Sequence, residues 1–354
     1  MSALAEEKTI ADTVVAYRRF LRLRIMLLCL LAAAVAAVFC ADLLTGPSAL
    51  TFSQALKGLA APSTLSRTEY VILWEVRLPA ACMAVAVGVA LSLAGAEMQT
   101  ILDNPLASPF TLGISHAAAF GAGMGIVLGY SLPGIPANWL ISGNAFVFAF
   151  ASTVLLQFMA QRFGASAQTL VLFGIAMFFA FEALVKLLQF IASEQTLQQL
   201  VFWTMGNLAR ADWTKIAYLS AAIALVAPFS MAASWKMTAL RMGDERARSF
   251  GVRVERLRLF SLFRIAVLTS FAVAFVGTIG FIGLVGPHIA RMLVGEDHRL
   301  LLPGSALCGA LLMSAASIAS KTILPGVIIP IGIVTALIGV PFFLWLVMQR
   351  RYRA

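Results

Sequence analysis

Charged residues are scarce in this chain. Of its 354 residues only 12% are Asp, Glu, Lys or Arg, while 61% are hydrophobic and the mean hydropathy is +0.92. Soluble domains usually carry about 25% charged residues. A soluble fold has no way to hide so much apolar surface from water, whereas a lipid bilayer solvates it. The composition therefore excludes an ordinary soluble domain and predicts an all-α, polytopic membrane protein.

Motifs that bind nucleotide, metal or a nucleophilic serine are missing. No Walker motif, His-Glu-x-x-His, Cys-x-x-Cys or Gly-x-Ser-x-Gly occurs in the sequence. The 3 histidines are scattered, and the 4 cysteines lie in apolar stretches without paired spacing, as small hydrophobic residues do. We therefore predict no catalytic residue, no metal site and no cofactor bound by this chain. His116 lies in the third apolar stretch and is expected to bond between helices.

Apolar stretches long enough to cross a bilayer recur along the chain. Nine clear stretches lie at about 25–44, 78–99, 110–130, 140–160, 168–192, 214–234, 260–280, 302–320 and 331–348. A tenth, about 282–295, is short and interrupted by glycine, and counting it puts both basic termini on one side. The predicted organisation is an N-terminal segment 1–24, a ten-helix transmembrane domain 25–348 and a tail 349–354.

Basic residues outnumber acidic ones and are unevenly distributed. The 26 Lys and Arg against 16 Asp and Glu give a net charge of +10. Most of the basic residues, Arg264 among them, fall on one side of the predicted spans. This asymmetry follows the positive-inside rule rather than a nucleic-acid footprint, so we expect both termini in the cytoplasm.

Charges inside the predicted spans are few. Glu182 and Lys186 stand four residues apart in the fifth span, so they share a helix face and can neutralise each other. Glu97 falls at the cytoplasmic end of the second span, where we doubt that it is buried. A proton- or sodium-coupled carrier needs unpaired carboxylates, and a membrane enzyme needs a convergent polar site. Both stay as rivals, but the sequence favours an outside energy source, a partner ATPase.

Two connections between spans and two glycine patterns stand out. In the cytoplasmic connection 235–259, Gly243 and Gly251 bracket a short segment with an acidic start suited to a helix dipole. Its predicted apolar side consists of Leu240, Ala247, Phe250, Val252 and Leu257. It is either a solvated basic loop or a surface helix presented to a partner. The connection 193–213 fits an interfacial segment or a half-helix. Small residues that let helices approach closely occur at Gly121, Gly125, Gly277, Gly280, Gly283 and Gly286.

Three groups of motifs, in this order, resemble the permease subunits of iron-siderophore, haem and vitamin B12 ABC importers. This is the FecCD-type, or type II ABC importer, family. The motifs are Val76-Arg-Leu-Pro79 with Gly88, Gly95, Gln99, Asn104-Pro-Leu-Ala107 and Leu112-Gly-Ile-Ser115; then Gly243-Asp-Glu-Arg-Ala-Arg-Ser-Phe-Gly-Val252; then Gly280-Phe-Ile-Gly-Leu-Val-Gly-Pro-His-Ile-Ala-Arg291, Asp297-His-Arg299, Leu302-Pro303, Pro330-Ile-Gly-Ile-Val-Thr-Ala336 and Gly339-Val-Pro-Phe-Phe343. Each motif is weak singly, but together they span the chain after about residue 70.

The resemblance implies ten transmembrane helices per subunit and a homodimer with the pathway on its two-fold axis. It also implies two ABC ATPase subunits, which hold ATP and Mg, on the cytoplasmic face of the inner (plasma) membrane, and a substrate-binding protein outside. The expected cargo is a metal chelate, foremost an iron(III)-siderophore, with haem and vitamin B12 as alternatives. A His116 that faced the pathway would favour haem.

The resemblance also assigns residues. Coupling to the ATPase is expected of Gly243, Asp244, Glu245, Arg246, Ala247, Arg248, Phe250 and Gly251. Docking of the binding protein is expected of Arg77 and Lys321, which match family positions. Part of the docking charge is expected to have moved to Arg67 or Arg210, which are alternatively ordinary interfacial arginines. The chain departs from the family here, because Ala80 replaces the second arginine of Arg-Leu-Pro-Arg, Lys321 replaces an arginine and Ser317 an aspartate. The pathway mouth is predicted at Phe190, Trp203, Met205 and Asn207.

Overall fold

The computed structural model describes residues 2–46, 51–129, 132–163 and 166–351, and every regular element in these ranges is helical. The helices are α1 (Ser2–Leu44), α2 (Phe52–Ala60), α3 (Arg67–Tyr70), α4 (Leu78–Ile101), α5 (Ile114–Val127), α6 (Ala137–Phe163), α7 (Ala167–Ile191), α8 (Glu194–Thr204), α9 (Trp213–Leu240), α10 (Asp244–Ser249), α11 (Val254–Val276), α12 (Ile282–Val294), α13 (His298–Thr322) and α14 (Ile331–Arg351). A π-helical segment, Val71–Arg77, joins α3 to α4. The all-α class is confirmed.

Each predicted span overlaps a helix, but the helices differ in length. Among the described residues, seven helices are long and apolar enough to cross a membrane, and three shorter apolar ones lie at Ile114–Val127, Ile282–Val294 and Ile331–Leu344. The α5 helix, with 14 residues, is about 21 Å long at 1.5 Å per residue. This is less than the roughly 30 Å of a hydrocarbon core. A crossing through α5 would therefore need the irregular segments next to it.

Several helices begin or end at residues other than those predicted. The expected span 110–130 begins only at Ile114, because turns occupy the chain before it and place Gly113 against the backbone of Phe178 in α7. Non-helical backbone is tolerated at this depth because it is buried in protein. The predicted segment 1–24 is continuous with the first span in α1, since residues 2–24 contain no Gly or Pro to end a helix. Likewise α14 runs on to Arg351, while residues 352–354 of the predicted tail lie outside the described residues.

The α4 helix is the centre of the bundle. Nearly all of its residues are buried, and it packs against α9, α11, α12 and α13. A Cβ on Gly88 would lie 2.3 Å from the carbonyl oxygen of Gly309, and a Cβ on Gly95 would lie 1.8 Å from that of Gly283. Only glycine permits these backbone approaches, which is how helices associate without a hydrophobic force between them.

The other glycine patterns are used in two ways. Gly121 and Gly125 pack α5 against Asn144 of α6, so the predicted close approach is confirmed. Gly283 and Gly286 likewise face α4. Gly277 and Gly280, however, lie in the irregular link between α11 and α12 rather than on a helix face.

Candidate functional site: the coupling segment and the opposite end

The predicted short helix exists as α10, and glycines with positive φ flank it. Gly243 has φ 99° and Gly251 has φ 81°, conformations that cost other residues about 1–2 kcal/mol each. Space is not the constraint, because a Cβ at either position would meet no atom within 4 Å. The two glycines thus turn the chain into and out of α10 by backbone conformation alone.

One side of α10 is anchored and the other is free. Ala247 is fully buried, as are Leu240, Val252 and Leu257 around it, so four of the five residues predicted for its apolar side are confirmed. Phe250, the fifth, is instead exposed, together with Met242. Glu245 and Arg246 are exposed as well. The segment therefore presents a mixed apolar and charged surface at the end of the bundle that we call the coupling end.

A buried arginine ties α10 to the bundle. Arg258 of α11 donates to both carboxylate oxygens of Asp244, at 2.9 and 3.0 Å, and its Nε donates to the carbonyl oxygen of Ile101 at 3.0 Å. That carbonyl belongs to the last turn of α4, whose C-terminal oxygens lack helical partners. Paired hydrogen bonds between a guanidinium and a carboxylate fix direction as well as distance. Arg258 therefore connects α10, α11 and α4 in one rigid joint.

Further ion pairs surround this joint. Arg241 contacts Asp103 at 2.8 Å and Glu296 at 3.3 Å, and Arg291 contacts Glu296 at 3.0 Å. Arg291 also donates to Gln99. These contacts join the chain after α4, the chain after α9, and α12.

The exposed arginines of α10 differ in what they contact. Arg248 donates to Glu255 at 2.7 Å, which raises the pKa of its guanidinium above the ordinary value, and it lies 3.9 Å from Asp244. Arg246 is the exposed arginine whose side chain forms no ion pair with another described residue. Of the two, Arg246 is the one whose charge is free for a partner.

The second span contains a buried ion pair that sequence reasoning misplaced. Glu97, 1% exposed, accepts hydrogen bonds from Arg264 at 2.7, 2.9 and 3.0 Å and another from Ser230 at 2.5 Å. The doubt about Glu97 burial is therefore wrong, and Arg264, which the sequence groups with the basic residues at the span ends, lies inside the bundle. The pair joins α4, α9 and α11, and no spacing along the chain reveals it, since 167 residues separate its members.

The predicted pair of Glu182 and Lys186 is confirmed at 2.9 Å, but it lies on the surface of α7. His116 packs between the rings of Phe110 and Phe178, with centroid distances of 5.4 and 4.1 Å. It lies between α5 and α7 as expected, but its buried Nδ1 has no hydrogen-bond partner among the described residues, so the expected bond between helices is replaced by ring contacts. Among the described residues, no group of three His, Cys, Asp or Glu is arranged to hold a metal ion.

At the opposite end, Arg77 and Lys321 turn inward. Arg77, 4% exposed, donates to the carbonyl oxygens of Leu43 and Leu44 at the end of α1, at 3.2 and 3.0 Å. Lys321 forms a 2.7 Å ion pair with the buried Asp42. Both side chains line one cavity of about 290 Å³. The expected open docking charges are thus satisfied inside the chain, and a docking role for these two residues stays a prediction.

Arg67 and Arg210 lie elsewhere at this end. Arg67 is exposed at the start of α3. Arg210 lines a separate cavity of about 810 Å³, 5.8 Å from the ring of Trp203, and its Nη1 is buried without a hydrogen-bond partner. Burial lowers the pKa of the Arg210 guanidinium below its ordinary value. This cavity therefore holds an incompletely satisfied positive charge.

Three of the four predicted pathway residues converge. The N–H of Asn207 donates to the carbonyl of Val276 at 2.7 Å, and the carbonyl of Met205 accepts from Gly332 at 2.9 Å. Trp203 is buried beside them at the end of α8, the half-helix anticipated in the connection 193–213. Phe190 stands apart on α7, 86% exposed. The meeting point joins α8, the link after α11 and the start of α14.

Comparisons with known proteins decide the family. A sequence model of the FecCD transport family matches residues 29–349. The chain belongs to the FecCD transport family. It is 39% identical to the hemin transport system permease protein HmuU of Yersinia pestis, over 78% of this chain and 83% of that protein. It is 36% identical to the Fe(3+) dicitrate transport system permease protein FecD of Escherichia coli, over 80% of this chain and 87% of that one.

A solved structure agrees with this family assignment. An inward-facing conformation of a protein assigned to the metal-chelate type of ABC transporter superposes with a TM-score of 0.80 at 31% identity, covering 92% of this chain and 99% of that one. The similar permeases also include ones named for vitamin B12 and for molybdate. The chain is thus a multi-pass ABC importer permease of the FecCD type, a family whose members work with ATPase subunits and a binding protein, and the cargo differs among its relatives.

Proposed function

We propose that this chain forms a homodimer that imports a metal chelate, foremost an iron(III)-siderophore, across the inner membrane. The cargo proposal is supported by the relatives named for hemin and ferric dicitrate, both iron complexes. Haem and vitamin B12 remain alternatives within the same class, because permeases of similar identity are named for each.

The observation that carries the proposed mechanism is the anchored and exposed α10. Its exposed face, with Phe250 and Arg246, fits a cleft on an ATPase subunit, while Asp244 and Arg258 tie it to α4 and α11. Closure of two ATPase subunits would then move α10, and through Arg258 the spans, as rigid bodies. In this proposal α10 and both termini lie in the cytoplasm.

The exposed face of α7 supports the homodimer. Lys186 is 69% exposed inside an otherwise apolar span, and Glu182 lies on the same face. Charges facing lipid at such depth are costly, so this face is expected to meet a second copy or a water-filled pathway. Phe190, on the same helix, would then line the mouth as predicted.

Cross-linking tests the dimer. In a cysteine-free background, Phe190→Cys is expected to yield a cross-linked dimer in native membranes. Leu30→Cys, on an exposed and wholly apolar part of α1, is the matched control and is expected to stay monomeric. Equal cross-linking of both variants, or of neither, would contradict the proposed interface.

At the opposite end we propose that the binding protein docks through Arg67 and Arg210. An acidic side chain entering the 810 Å³ cavity would satisfy the unpaired Nη1 of Arg210. Reversing both charges in Arg67→Glu with Arg210→Glu should slow association at low salt by roughly tenfold or more. Lys57→Glu, exposed in nearby α2, is the control and should change the rate little.

Uptake by whole cells tests the cargo. Cells lacking the gene, with and without its restoration, are given radiolabelled iron on a panel of siderophores, beside haem and cobalamin. Restored uptake of one iron chelate, lost on ATP depletion, is the expected result. Restored uptake of none refutes the iron proposal, and uptake that survives ATP depletion but collapses with the ion gradient would support a secondary transporter.

A further inference from the structure

A groove lies at the coupling end of the bundle, next to the coupling segment. It has a volume of about 860 Å³, with α11 as its floor, α9 on one side and Gln157 of α6 on the other. Helices α6 and α9 are in contact at the opposite end of the bundle, where the ring centroids of Trp139 and Tyr218 lie 6.0 Å apart. They diverge toward the coupling end, and the groove fills the space between them.

Polarity along the groove is graded. Toward the middle of the bundle its walls are apolar and exposed, with Leu225 and Phe229 from α9 and Phe263 from α11. Toward the coupling end it is lined by Lys236, Arg253 and Arg256.

The groove has no carboxylate in its lining. The basic side chains Lys236, Arg253 and Arg256 are exposed and form no ion pair with another described residue. A fourth cation in the lining, Arg264, is already neutralised by Glu97. Three cations without an ion-pair partner among the described residues therefore lie at one end of a groove whose other walls are apolar.

The residues beside these cations are of the kind found at the level of lipid headgroups. Trp235, exposed and next to Lys236, is the kind of residue that sits at a membrane–water interface. Arg253 and Arg256 lie at the first turn of α11, where the chain enters the bundle. Basic pockets between spans on the cytoplasmic side fit anionic headgroups, and the apolar walls beyond them fit acyl chains.

We propose that this groove binds one anionic phospholipid, its phosphate held by Lys236, Arg253 and Arg256 and its acyl chains lying along Leu225, Phe229 and Phe263. Charge complementarity selects the occupant, because a helix of a partner would leave the three cations unpaired unless it were acidic. Gly251 also lines the groove, so the bound headgroup lies beside the coupling segment.

Native mass spectrometry of the full chain in detergent tests the proposal. With phosphatidylglycerol added, one lipid per chain is expected to survive delipidation, whereas phosphatidylethanolamine at the same concentration is not retained. The triple variant Lys236→Gln, Arg253→Gln, Arg256→Gln should bind phosphatidylglycerol on the order of 100-fold more weakly.

The matched control is Arg18→Gln, Arg19→Gln, Arg22→Gln. It removes the same charge from exposed positions on α1 and leaves the groove intact, so it should retain the lipid. Equal loss in both triple variants, equal retention in both, or no preference over phosphatidylethanolamine would overturn the proposal.

A wild-type experiment guards against a variant that fails to fold. Phosphatidylglycerol with a photoactivatable acyl chain is cross-linked to the unaltered protein, and the labelled peptides are mapped. Labels in 225–233 or 259–267 are expected. Labels confined to other helices would overturn the assignment of the groove, and so would covering of the groove by a second copy of the chain.

Discussion

The two ends of the bundle each contain a buried arginine that satisfies the last carbonyls of a helix. At the opposite end, Arg77 donates to Leu43 and Leu44 at the end of α1. At the coupling end, Arg258 donates to Ile101 at the end of α4. Arg258 also binds a second element, through Asp244 of α10.

The two arginines therefore differ in what they connect. Arg77 is buried, and its described hydrogen bonds go to the end of α1. Arg258 forms a similar contact with the end of α4, but it also binds α10, whose other face is exposed. Identical side-chain chemistry thus serves stability at one end and, in the proposed mechanism, force transmission at the other.

The largest expected loss of stability comes from breaking the buried ion pair of Glu97 with Arg264. Glu97→Ala leaves Arg264 buried without its carboxylate and should lower the free energy of unfolding by about 3–5 kcal/mol. Glu182→Ala removes a carboxylate from the exposed pair on α7 and should lower the free energy of unfolding far less. Thermal unfolding of both variants in detergent compares them, and equal losses would contradict the distinction between buried and exposed pairs.

The next prediction tests directly whether Arg77 and Arg258 differ in their roles. Arg258→Ala and Arg77→Ala each remove charged hydrogen bonds to helix carbonyls and should each cost about 2–3 kcal/mol. In proteoliposomes with the ATPase and binding protein, Arg258→Ala should lower uptake per ATP hydrolysed by at least about tenfold.

Arg77→Ala should lower total activity and leave uptake per ATP hydrolysed unchanged, unless Arg77 also docks the binding protein. In that case its defect is overcome by excess binding protein, whereas the Arg258→Ala defect is not. A normal ratio in Arg258→Ala would remove the transmitting role.

The smallest effect concerns the start of α13 at the coupling end. Asp297 caps this helix, accepting from the backbone N–H of Arg299 at 3.0 Å, and the Arg299 guanidinium keeps the pKa of the carboxyl below its ordinary value. A depressed folded-state pKa stabilises the protein above the unfolded pKa of about 3.9, and the contribution disappears as pH falls through the folded value.

Asp297→Ala should therefore cost about 1 kcal/mol at neutral pH. Asp297→Asn keeps a capping oxygen and should cost less, while losing the acid dependence that this carboxyl contributes. Unfolding midpoints from pH 3 to 7 compare the variants with the parent. An undiminished acid dependence in Asp297→Asn would contradict the role given to the carboxyl.

Sequence predicted what depends on neighbours along the chain. The spans follow from hydropathy, α10 from its flanking glycines, and the contact of Glu182 with Lys186 from a spacing of four residues. Each is a local pattern with a local cause.

Contacts between distant helices escaped prediction. Nothing local distinguishes Glu97 or Arg264 from charges at a span end, and Arg258 reads as one more positive-inside arginine. Arg77 was expected on the surface because its motif lies near the end of a span, yet the free carbonyls of α1 draw it inward. Three-dimensional pairing decided all four positions.

The central claim is that α10 transmits motion, and one measurement tests it most directly. Gly243→Val with Gly251→Val strains both turns of the coupling segment without a steric clash, because both sites have positive φ and open space. Gly129→Val with Gly134→Val is matched in φ and space but lies between α5 and α6. The quantity to measure is uptake per ATP hydrolysed in proteoliposomes. We predict that the first variant hydrolyses ATP with little uptake, while the second keeps the parent ratio. A parent ratio in the first variant would contradict the coupling role of α10.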